Sequence, residues 1–84
     1  MDLVTRLTAS LDRLEGAMLR NSARALESIA RLEEAEAAGD PIAAKEARQE
    51  IALAHRNIGT AVVAIAKLAE AISAAAVDAP AHGA

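Results

Sequence analysis

Residues 47–75 read ARQEIALAHRNIGTAVVAIAKLAEAISAA, and within them Ile51, Ile58, Ile65 and Ile72 recur every seven residues. At the complementary spacing stand Ala47, Ala54, Ala61, Leu68 and Ala75. A ladder of isoleucine alternating with mostly alanine is the pattern of a helix whose seam lies close against another helix. It marks assembly and carries no chemistry of its own.

Moving toward the N-terminus, the ladder is preceded by Gly39-Asp40-Pro41. Glycine suits the left-handed position that ends a helix, aspartate caps the next, and proline fits a first turn that needs no amide donor. Before this break, Val4, Leu7, Leu11, Leu14 and Met18 form one stripe, which fades at Asn21, Ala25 and Ser28 and recovers at Leu32. Asp2 is placed to cap that helix. Gly16 and Gly59 each interrupt a helix at a cost of about 1 kcal/mol relative to alanine, and close helix contact is the expected reason for both.

The fold class expected is therefore all-α, a two-helix antiparallel hairpin. Its helices span about residues 2–38 and 41–77, within a hairpin domain 1–77 followed by a flexible tail at 78–84 marked by Pro80 and Gly83. The register follows from the two seams. Positions whose numbers sum to 79 pair core with core: Leu7–Ile72, Leu11–Leu68, Leu14–Ile65, Met18–Ala61, Asn21–Ile58, Ala25–Ala54, Ser28–Ile51 and Leu32–Ala47. The hairpin core predicted is Leu7, Leu11, Leu14, Met18, Ile51, Ile58, Ile65, Leu68 and Ile72. The layers at Ala25–Ala54 and Ser28–Ile51 are thin.

One partner helix cannot cover everything apolar in this chain. Leu19, Leu26 and Ile29 flank the first stripe, and Val62, Val63 and Val77 flank the second. These six residues are the predicted partner interface. Because a two-helix hairpin is marginal on core size, a four-helix bundle is expected, completed by dimerisation or by the helices of another protein. The run Ala61–Val77 is about three residues short of a membrane span and holds Lys67 and Glu70, so it is expected to be a buried helix of a soluble chain. Met1–Leu7 lacks the apolar segment of a signal peptide, and a cytoplasmic location without a membrane partner is expected.

Composition narrows the function further. The chain has 84 residues, a formal charge of −3, no cysteine and no aromatic residue. Disulfides and thiolate metal sites are excluded, and so are stacking platforms for bases or sugars. No nucleophile with a base and an orienting partner is visible, and neither is a glycine-rich phosphate loop, so catalytic residues, cofactors and a small-molecule substrate are not expected. His55 follows Glu50 by five residues and misses the Glu-x-x-His spacing of bundle di-metal sites, so no metal is expected. His82 lies in the tail. Glu33, Glu34 and Glu36 gather at the end of the first helix, where the dipole disfavours them and a basic partner segment would suit them.

Arg6, Arg13, Arg20, Arg24 and Arg31 fall within roughly 40° of one another on a helical wheel. Such a ridge on a four-helix bundle suits the phosphates of structured RNA, which makes a homodimeric RNA-binding bundle the alternative function. The competing reading is a solvated face with Asp2–Arg6 and Glu27–Arg31 paired one turn apart, and the net negative charge favours it.

Thr5-Arg6-Leu7, the Gly39-Asp40 turn, Arg48-Gln49-Glu50 and the apolar second helix together give a layout that resembles the small co-chaperones of type III secretion needle subunits. The resemblance spans most of the chain. It implies a cytoplasmic helical hairpin that pairs with a larger helical-repeat chaperone to keep a polymerising subunit monomeric. On either route the expected function is that of a non-enzymatic helical interaction module, a small adaptor or co-chaperone whose partner is a protein.

Overall fold

The computed structural model describes the backbone of residues 2–83 and the side chains through Val77. Helix α1 runs Leu3–Ala38 and helix α2 runs Pro41–Gly83. Asp2 is extended (φ −77°, ψ 170°), and its carboxylate accepts a hydrogen bond from the Thr5 amide at 2.7 Å, satisfying one of the donors that every helix start leaves free. That bond, with further help from the Thr5 hydroxyl and the Arg6 charge, holds the Asp2 carboxyl below its ordinary value of 3.8.

The turn forms as its three residues dictate. Gly39 takes φ +67°, its amide donates to Glu36 O at 3.2 Å, and the Asp40 amide donates to Ala35 O at 2.9 Å. These two bonds close the helix end in a Schellman arrangement, which needs a residue free to adopt the left-handed region. Asp40 then caps α2 by accepting from the Ala43 amide at 3.1 Å. The backbone stays helical through Gly83, six residues past the expected end at Val77. The alanines at 74–76 have the highest helix propensity. The predicted tail at 78–84, with His82, lies outside the described side chains.

The two helices lie antiparallel in a rod of 68 × 16 × 14 Å. Asn57 donates to Asn21 across the seam at 3.3 Å and Ser28 donates to Glu50 at 3.0 Å, so residues at equal height sum to 78 in both pairs. This is the predicted register to within one residue. The buried side chains are Ala35, Ala44, Ala47, Ala54 and Ala61, together with Ser28. Ala35 and Ala44 form one more layer of the same register, next to the turn, which the predicted pairings did not include.

The core itself departs from expectation. All nine predicted core residues face the seam, yet each is only half-buried, and full burial is confined to alanine and one serine. Alanine draws the helix axes together, and the isoleucines then straddle the seam with their outer edges exposed. Full burial of a leucine contributes about 1.5–3 kcal/mol, and each buried methyl contributes about 0.8 kcal/mol. A core of alanines therefore leaves much of the available hydrophobic stabilisation unrealised. The glycines depart too. A Cβ on Gly59 would meet nothing within 4 Å, and one on Gly16 only the Arg20 guanidinium at 3.3 Å, so neither serves the packing of α1 on α2.

Candidate partner-binding surface

The seam divides the rod lengthwise into two flanks. On one flank, Arg31 forms an ion pair with Glu50 and also donates to Ser28 Oγ at 3.0 Å. A shallow groove there is lined by Asn21, Arg24, Ser28, Glu50, Leu53 and Asn57, among others. Ser28 is buried to 2% exposure, and both neighbours occupy its hydroxyl, so its burial costs little. This cluster fills the thin Ser28–Ile51 layer with hydrogen bonds in place of hydrocarbon.

The arginine ridge runs along this flank. Arg6, Arg13, Arg20, Arg24 and Arg31 are all exposed. Arg13 donates to Ser10 Oγ at 2.9 Å. The expected Glu27–Arg31 and Asp2–Arg6 pairs do not form; among the described residues the one ion pair within 4 Å joins Arg31 to Glu50. Glu50 approaches from α2 on the same side of the seam and displaces Glu27. Four arginines, Arg6 to Arg24, thus form no ion pair within 4 Å among the described residues, along about 27 Å of helix.

The other flank carries exposed leucine and valine along its middle and is charged toward the turn, where Glu36 and Arg48 border the seam. Ile29 from α1 and Val62 from α2 lie next to the seam on this side, Leu19 and Leu26 lie further out on α1, and Val63 and Val77 continue the surface around the outer face of α2. All six predicted interface residues are exposed, Leu19 at 67%, Leu26 at 69% and Val63 at 55%. Leu3, Ile42 and Leu53 are exposed as well, and sequence reasoning did not single them out. Leu53 belongs to the arginine flank, and its place one residue before the seam position Ala54 would have found it. His55 is exposed. Among the described residues, no three histidine, aspartate or glutamate side chains gather as a metal would require.

The most apolar window of α2 has a mean hydropathy of 1.7, and 6% of that window is buried within the chain. The expected burial of this helix is therefore not supplied by α1. By length and composition alone, α2 is also long enough to cross a membrane.

Fold and surface together define an all-α hairpin with an arginine ridge along one flank and exposed leucine and valine on the other. No family model, curated protein or solved structure matches the chain.

Proposed function

We propose that this chain is a non-enzymatic interaction module, a small cytoplasmic adaptor or co-chaperone that binds partner helices along its flank of exposed leucine and valine. One observation carries the reading: no leucine or isoleucine is fully buried, while Leu19, Leu26, Ile29, Val62 and Val63 stand exposed. Partner helices laid over this flank would seal the outer edges of Ile51, Ile58, Ile65 and Ile72, adding stabilisation that the hairpin alone lacks. The layout shared with needle-subunit co-chaperones is consistent with the same role. Insertion of α2 into a bilayer is disfavoured, because α1 packs along its length and would carry five arginines and six carboxylates with it.

The test is sedimentation equilibrium on the purified chain, with thermal melts followed by circular dichroism across concentration. Assembly, or folding that depends on an added protein, is the expected result. A cooperatively folded monomer at micromolar concentration overturns the reading.

A second reading rests on the four exposed arginines, Arg6 to Arg24. Binding of structured RNA predicts an affinity that falls steeply with salt and weakens in Arg20→Ala or Arg24→Ala with assembly unchanged. No binding at low salt removes it.

A further inference from the structure

We infer that the leucine and valine flank is covered by a second copy of this chain, docked about a two-fold axis parallel to the helices so that α1 of each copy lies against α2 of the other. This rests on the interaction-module reading and names its partner.

The exposed area has the size of an interface. The chain exposes 6053 Å², whereas a compact monomer of its mass, 8.6 kDa, exposes about 4,700 Å². The excess over the whole rod is about 1,350 Å², and a stable complex takes about 800 Å² or more from each partner.

The occupant is set by self-complementarity. A two-fold parallel to the rod preserves height, so the internal register carries over to the interface between copies. On this flank, α1 presents Leu19, Leu26 and Glu33 at intervals of seven residues, and α2 presents Gly59, Ala52 and Lys45 at the same interval. All six are exposed. The pairs of equal height, each summing to 78, are Leu19 with Gly59, Leu26 with Ala52, and Glu33 with Lys45. Each large side chain meets a small one, and the carboxylate meets an ammonium. Among the described residues neither Glu33 nor Lys45 has an ion-pair partner, and the space above Gly59 is open. The alternative two-fold, perpendicular to the rod, would set Leu19 against Leu26 but bring Asp12 against Glu33, two like charges.

The chain has no cysteine, which permits a direct test. Chains carrying Leu19→Cys and chains carrying Gly59→Cys are mixed, refolded together and oxidised, alongside each variant alone, with sedimentation equilibrium run on the unmodified chain. A dimer, with disulfides formed preferentially in the mixture, is expected. Gly59→Leu should keep full helicity, since nothing in its own chain obstructs the side chain. It should weaken the dimer by about a hundredfold, because two-fold symmetry repeats the overpacking at two sites. Glu33→Lys and Lys45→Glu should each weaken it several-fold, and the double variant should recover.

A dimer whose disulfides form only between like variants overturns this arrangement and leaves the interaction-module reading intact. So does a chain that folds only with a foreign protein. A folded monomer overturns both.

Discussion

Among the described residues, Gly39 is the one whose backbone permits no substitute with a side chain at ordinary cost. Its φ of +67° lies in the left-handed region, and nothing stands within 4 Å of where a Cβ would project. Gly39→Ala should therefore destabilise the chain by about 1–2 kcal/mol through backbone strain alone, with Gly39→Asn costing less, as read by urea unfolding. Ser28 tests a different effect. Ser28→Ala removes two hydrogen bonds from a buried position, but Glu50 and Arg31 are each 53% exposed and rehydrate. The expected loss is about 0.5–1.5 kcal/mol, and Glu50→Ala should cost under about 1 kcal/mol. Asp2 adds a pH dependence. Its folded carboxyl lies below 3.8, so the cap contributes above that value and its contribution is lost as pH falls through the lowered one. An NMR titration of the Asp2 carboxyl that gave a midpoint at or above 3.8 would contradict the cap.

At the scale of the element, the turn, both helices and their register were legible in the sequence because each rests on a local physical cause. Gly39, Asp40 and Pro41 each have a single reason for their place, and two seams of seven-residue period admit one register. The depth of burial was not legible. A heptad ladder shows which face meets a helix but not how many helices share the core, so Ile51, Ile58, Ile65 and Ile72 were expected inside and proved half-buried. The ion pair was missed for a related reason. Glu27 is one turn from Arg31 in sequence, and only the packed flank reveals that Glu50 is better placed. The six residues expected at a partner interface are exposed because they are what the seam leaves over. Ala54, at 3% exposure, shows what the alanine ladder is for. Ala54→Leu has no room between axes drawn together by alanine and should cost about 1–3 kcal/mol in urea unfolding. The hairpin should splay, breaking the hydrogen bonds that join Asn21 to Asn57 and Ser28 to Glu50.

For the whole molecule, stability should be a property of concentration as much as of sequence. A rod 14–16 Å across has no interior deep enough to enclose a leucine between two helices held by alanine. The melting midpoint should rise with protein concentration. Leu26→Lys, which exchanges one good helix former for another at an exposed site, should leave helicity intact at low temperature while abolishing that rise. A concentration-independent midpoint in the unmodified chain would show that the hairpin stands on its own core.

The two-residue turn has a consequence for direction. The helices are antiparallel, so α1 begins at the pole opposite Gly39, about 50 Å away, and α2, helical to Gly83, runs on past it toward the same pole. Cargo tethered to either end would be held away from the Gly39 pole. In a pair whose two-fold runs along the rod, all four ends would share that pole, making the assembly a spacer with a head and a foot.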